Sequence, residues 1–187
     1  PPPAWIDRGR GDLWGTLAIL DYGNEPFVFE ARQRVPLGVN MAVRRSLVER
    51  VGGFNPELGR RGRSLLGQEQ AEFFSRARLA GARGLYVPAM ELHHHVPQGR
   101  LTKQYFRRWW YWKGIARARV DAMHQKTELG LDLAVVPRIA GVPRYIWGQA
   151  PRAMAQWARA RATGDVQRSA RHEMECAYVL EIGRAHV

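Results

Sequence analysis

Apolar positions in the second half of the chain recur every three or four residues, whereas those in the first half come in short clusters between Gly, Pro and Arg. The two textures predict different elements. Residues 1–35 read as irregular, with apolar clusters at 13–20 and 26–29, the first suggesting a short helix near 11–21. Residues 37–45, L-G-V-N-M-A-V-R-R, alternate weakly and suggest a strand or an extended loop. Ser46 is placed to cap a short helix, S-L-V-E-R-V, that stops at Gly52 and Gly53. Phe54-Asn55-Pro56 reads as a turn, and 59–64 as a polar, mobile loop of Arg and Gly. The next helix is predicted from Gln68 to Ala80, with Phe73, Ala77 and Ala80 on one face and Gly81 as its stop. G-L-Y-V-P and M-E-L-H-H-H-V-P then read as short strands closed by Pro88 and Pro97. Helix, strand, strand in this order predicts an α/β or α+β class.

Past Pro97 the pattern becomes helical. Residues 100–120 put Tyr105, Trp109, Trp112 and Ala116 on one face and Lys103, Arg107 and Arg117 on another. A link rich in Gly and Pro spans 130–143. A further helix carries Trp147, Ala150, Met154 and Trp157 on one stripe, with a kink expected at Pro151. The last shows Val166, Ala170, Met174 and Ala177. The division predicted is 1–98 and 99–180. The final residues 181–187, E-I-G-R-A-H-V, read as a translated sequencing adapter and are set aside as a non-native tail. The start at Pro1-Pro2-Pro3, with no initiator Met, leads us to expect that an upstream part is missing.

Charge narrows the partners. Lys and Arg number 29 against 17 Asp and Glu, a formal charge of +12. Such a surface attracts phosphates on nucleic acid, anionic lipid or a nucleotide-linked substrate. Cys176 is the only cysteine, which excludes an internal disulfide and suits a reducing compartment. No apolar run reaches the ~18 residues of a spanning helix, and no signal-peptide pattern is visible. The basic, Trp-rich helix at 100–120 has three readings: packing on its own domain, lying in a membrane interface, or binding nucleic acid. No RNP, KH or zinc-finger pattern supports the last, so nucleic acid is not the expected partner.

Two acids and a histidine run carry the candidate chemistry. Glu72 has Arg76 four residues on, the favoured direction for a helical ion pair. Glu69 has no basic partner on its own helix. It either favours the positive helix N-terminus, worth about 0.3–1 kcal/mol, or stands ready to take a proton from a bound hydroxyl. In E-L-H-H-H-V, strand alternation sets His94 with Leu92 and Val96 and turns His93 and His95 away, so the three histidines cannot share one ion. His94 is then a hydrogen-bonded core residue or a lone ligand. No zinc spacing, G-x-S-x-G or D-x-D is present.

Four segments in order resemble the C-terminal half of family 2 glycosyltransferases of the glycosyltransferase A fold. They are G-V-N-M-A-V-R-R-S-L-V-E-R-V-G-G-F at 38–54, G-Q-E-Q-A-E-F-F-S-R-A-R-L-A-G at 67–81, Y-V-P at 86–88 and L-H-H-H-V-P at 92–97. The matching stretch is 36 to about 106. The resemblance implies an inverting transfer of sugar from a nucleotide-sugar donor to the hydroxyl of a saccharide or lipid-linked acceptor, in cell-envelope polysaccharide or glycolipid synthesis. It implies a Mg²⁺ or Mn²⁺ on the departing diphosphate and a carboxylate base from the G-E-D-type motif. With Gly67 as the motif glycine, that base is Glu69; with the helix end as reference, Gln70 stands where Asp is expected. We take Glu69. By the same resemblance His94 helps hold the metal, Gly38 and Asn40 line the acceptor side, and Arg100 and Lys103 face the diphosphate. The family's nucleotide-binding half and its D-x-D motif are not in this chain, so the chain alone is expected to be inactive. The resemblance also implies a cytoplasmic protein, peripheral on the inner face of the cell membrane. The rival expectation is a non-catalytic membrane- or nucleic-acid-binding module.

Overall fold

The computed structural model describes residues 2–6, 12–29, 36–127 and 130–185. Leu13, Thr16 and Leu17 of a 3-10 turn, Asp12–Leu17, are all buried. This is the short helix expected near 11–21, trimmed at both ends. The aromatic cluster that follows forms strand β1 (Phe27–Val28). Helix α1 (Arg45–Val51) starts one residue before Ser46, whose side chain does not cap it, and ends at Gly52 with φ 82°. Helix α2 (Glu69–Leu79) keeps its predicted apolar face at Phe73 and Ala77, while Ala80 is exposed. Gly81 takes φ 77°, a left-handed conformation that closes the helix. The predicted mobile loop at 59–64 is pinned at one point, where the Arg108 guanidinium donates to the Arg63 carbonyl.

Strand β2 (Leu85–Tyr86) pairs antiparallel with β1, Phe27 opposite Tyr86 and Val28 opposite Leu85. Tyr22, Phe27, Phe29 and Tyr86 pack edge to face around this ladder, Phe27 and Tyr86 stacking at 5.0 Å. The second predicted strand, 90–97, does not form: those residues join no ladder among the described residues. Its alternation survives in part, since His94 and Val96 are half-buried and His93 and His95 exposed, but Leu92 is exposed as well.

Three long helices follow: α3 (Lys103–His124), α4 (Arg144–Ala162) and α5 (Val166–Ala185). Between α3 and α4 the predicted link folds into a hairpin, β3 (Arg138–Ile139) with β4 (Val142–Pro143). Its two turn residues, Ala140 and Gly141, both have positive φ, the geometry that matches strand twist in a two-residue turn. The molecule is therefore mixed helix and sheet, with two small antiparallel sheets among the described residues. None of those helices is long and apolar enough to cross a membrane.

The faces of α3 and α4 depart in part from their predicted positions. Helix α3 buries Phe106, Trp110, Gly114, Ala116, Ala118, Val120 and Asp121; of its predicted face Ala116 is buried and Tyr105, Trp109 and Trp112 are half-buried. Helix α4 buries Ile146, Ala153 and Ala160 against α5, leaving Trp147 50% and Met154 53% exposed. Helix α5 buries Ala170 and Met174 as expected, with Val166 outside. The main core joins Ile6, Leu13 and Leu17 to Phe106, Trp110, Ala170 and Met174. It crosses the predicted division at residue 98, because the N-terminal apolar residues find their cover on α3 and α5. Residues 181–185 of the set-aside tail continue α5, which runs to Ala185, and Ile182 is buried in a second cluster with Ala118, Val142, Ile146 and Val179. Residues 186–187 lie outside the described residues, as do 7–11 and 30–35 of the predicted irregular stretch.

Helices α3 and α5 cross at Gly114. A Cβ there would lie 2.6 Å from the Tyr178 carbonyl oxygen and 3.0 Å from the Ile182 nitrogen. Ala in place of Gly would gain about 1 kcal/mol of helix propensity. Overpacking against backbone that cannot rotate aside opposes this by about 1–3 kcal/mol. Gly114→Ala is therefore expected to lower the denaturant midpoint modestly and Gly114→Leu strongly; an unchanged midpoint for Leu would mean the helices do not meet there.

Candidate functional site

The N-terminal turn of α2 opens on a broad cleft of about 2390 Å³. Its walls are the segment 36–47, α2 and the extended segment 82–94, and Trp109, Lys113 and Arg117 of α3 reach it from the side. Glu69 is the first residue of α2, half-buried and on the cleft wall. Its Oε2 accepts the Gln68 backbone N–H at 3.0 Å, so the carboxylate is folded back over the helix start.

Beside it, the Gly38 backbone N–H donates to Gln70 Oε1 at 2.8 Å. The Gln70 carboxamide fills the space a side chain at 38 would need: a Cβ on Gly38 would sit 2.5 Å from Gln70 Cδ. Gln70 is thus a clamp that fixes the 36–40 segment to α2, whatever register the motif takes. Gly38→Ala would displace the amide and break this bond, an expected loss of about 1 kcal/mol readable as a lower melting temperature. Equal melting temperatures would show that the clamp carries no stability. Asn40 also lines the cleft, and its Nδ2 donates to the Met90 carbonyl at 2.7 Å, tying the two walls together.

His94 lines the same cleft from the far wall. Its Nδ1 lies 3.0 Å from the Leu17 carbonyl oxygen. A carbonyl can only accept, so Nδ1 carries a proton in this contact. Outer support of this kind is what a ligating imidazole commonly has, and it is equally what a satisfied structural histidine has. Among the described residues no three His, Cys, Asp or Glu side chains come together to hold a metal ion. The described residues do not make a metal site by themselves.

Arg100, at the end of a 3-10 turn (Gln98–Arg100), lines the cleft with its guanidinium 5.9 Å from the Tyr105 ring centre. Lys103 does not reach it. As the first residue of α3 it points along α5, Nζ 3.9 Å from Glu173 Oε2, where Arg107 also pairs with Glu173. Lys103 and Arg107 line a second, smaller hollow beside Glu173, while Arg117, further along α3, binds Asp121 Oδ1 through Nε at 2.6 Å and lines the cleft.

Glu72 is buried and faces away from the cleft. Arg76 grips both its oxygens, Nε to Oε1 at 2.6 Å and Nη2 to Oε2 at 2.8 Å, as the four-residue spacing predicts. His124 at the end of α3 comes within 3.3 Å of Oε1. The hydrogen bond from Arg76 holds the Glu72 carboxyl below its ordinary range against the opposing effect of burial, with the charges of Arg76 and His124 adding to it.

No family model, no curated protein and no solved structure matches this chain.

Three contributors escaped the sequence reading. Gln70 lies 32 positions from Gly38, and nothing local marks the pair. Lys113 and Arg117 do carry a signal, because they follow Trp109 at four-residue steps and so share its face. Lys113 Nζ sits 4.3 Å from the Trp110 ring centre and 5.2 Å from that of Tyr178. With Arg50, Arg78 and Arg83 also on the cleft walls and only Asp21, Glu69 and Glu91 as acids, the described lining is strongly basic. A cleft of that charge draws in phosphate-bearing molecules.

Proposed function

We propose that this chain is the acceptor-side part of an inverting glycosyltransferase of the glycosyltransferase A fold, acting on a nucleotide-sugar donor. The reading is carried by one observation: Glu69 stands at the cleft-facing start of α2, on walls that also bear Asn40, His94 and Arg100. In this role Glu69 takes the proton of the acceptor hydroxyl as that oxygen bonds to the anomeric carbon. The bond from that carbon to the diphosphate oxygen breaks, and its electron pair leaves with the diphosphate. Arg100 and the basic lining stabilise the charge that builds there. Gly38 keeps the wall close by bonding Gln70, and Lys103 has a packing role instead of the substrate contact first expected.

A Mg²⁺ or Mn²⁺ belongs to this proposal through the family resemblance alone, and no step here runs through it. The direct test is sugar transfer from nucleotide-sugars to saccharide and lipid-linked acceptors by the complete gene product. Transfer that is abolished by Glu69→Gln supports the reading, and transfer indifferent to that change removes Glu69 as base. The rival, a non-catalytic binding module, predicts no transfer with any donor.

A further inference from the structure

We propose that the outward face of α4, with the adjoining β3–β4 hairpin, docks this protein on an anionic lipid surface. Helix α4 is apolar on two sides. The inner side, Ile146, Ala153 and Ala160, is spent on α5. The outer side presents Trp147, Pro151, Met154, Ala155 and Ala158, all exposed. A globular surface helix ordinarily turns polar residues outward; this one turns outward a Trp and a Met about half exposed each.

The patch continues into the hairpin. Trp147 Nε1 donates to the Ile139 carbonyl at 3.1 Å, and the Ile139 side chain is itself 50% exposed. The indole is therefore oriented with its polar edge satisfied and its ring open, the condition that suits Trp to the headgroup level. Charge frames the patch. Arg144, Arg152, Arg159 and Arg161 are exposed, and α4 contains no acid from end to end.

These features select the occupant. Two copies meeting through this face would set arginines against arginines. Nucleic acid would satisfy the arginines and leave Ile139, Trp147 and Met154 against phosphate and water. An anionic bilayer takes both parts, arginines at the headgroups and the apolar stripe at the acyl boundary. The Trp-rich helix α3, first suspected of this role, has its aromatic stripe in the core and two of its cations on Glu173. The proposal does not depend on the sugar-transfer reading.

The test is co-sedimentation of the full chain with phosphatidylcholine vesicles, with and without phosphatidylglycerol, at low and high salt. Binding is expected only with the anionic lipid, and weaker at high salt. Arg152→Gln with Arg159→Gln should weaken it about tenfold or more, as should Trp147→Gln with Met154→Gln. Tyr111→Gln, an exposed aromatic on α3, should leave it unchanged. All of these positions are exposed, and circular dichroism checks that helix content is retained. No binding to anionic vesicles, binding that the α4 changes do not weaken, or a Trp147-dependent dimer in sedimentation equilibrium without vesicle binding would each overturn the proposal. Tighter, salt-sensitive binding to duplex DNA than to vesicles would also overturn it.

Discussion

Glu69→Gln is expected to lower the turnover of sugar transfer by about a hundredfold to ten-thousandfold, the range a positioned general base supplies. That is roughly 2.7–5.5 kcal/mol of barrier, at 1.36 kcal/mol per tenfold. The change keeps the shape of the side chain and its acceptor oxygen toward the Gln68 N–H, so α2 should start where it does now. It removes only the capacity to take a proton. KM for the donor should therefore stay near its wild-type value while kcat falls, since the lost interaction belongs to the transition state. A rise in KM at constant kcat would instead make Glu69 a binding residue.

The second large effect is on stability. Arg76→Ala is expected to destabilise the fold by about 3 kcal/mol, the low end for breaking a buried ion pair, because Arg76 keeps partial exposure. For a chain of this size that is a fall of roughly 6–12 °C in melting temperature. Two losses combine. Glu72 is left as a buried carboxylate without its guanidinium, and the Val51 and Gly53 carbonyls at the end of α1 lose the donors that hold α1 to α2. The pH dependence follows from the direction of the Glu72 shift. Its folded pKa is depressed, so its contribution is present above the ordinary glutamate value of about 4.3 and is lost as pH falls through the lower, folded value. Wild type should lose stability in that acid window. In Arg76→Ala, acid protonates the stranded carboxyl and narrows the gap to wild type. Urea unfolding at neutral and acid pH measures both; a gap that widens in acid would mean that Glu72 is not the group responsible.

What could be read ahead of the structure was local. Helix α2, its Phe73 and Ala77 face, its Gly81 stop and the Glu72–Arg76 pair all depend on residues within a few positions of one another. What could not be read was partnership across the chain. Periodicity marked α3 as amphipathic but set the stripe about one residue off, because a row of aromatics at 105–112 offers several apolar faces and only α5 selects among them. The strand at 90–97 needed a neighbouring ladder that the described residues do not supply. Trp147 and Met154 fell on one apolar stripe in the sequence, whereas α5 takes the opposite side of α4, where smaller Ala residues allow close approach. At the cleft, the place of Glu69 at the start of α2 was legible from the helix pattern, while the Gly38–Gln70 clamp spans two segments and left no pattern.

Helix α3 has a mechanical consequence. At 1.5 Å per residue its 22 residues extend about 33 Å. One end is sunk among Ile6, Leu13 and Met174 through Phe106 and Trp110, the other abuts Glu72 through His124, and its middle supplies Trp109, Lys113 and Arg117 to the cleft. It works as a tie-beam: the cleft is a span between two abutments, and its gap is set by where a single rigid member is seated at each end.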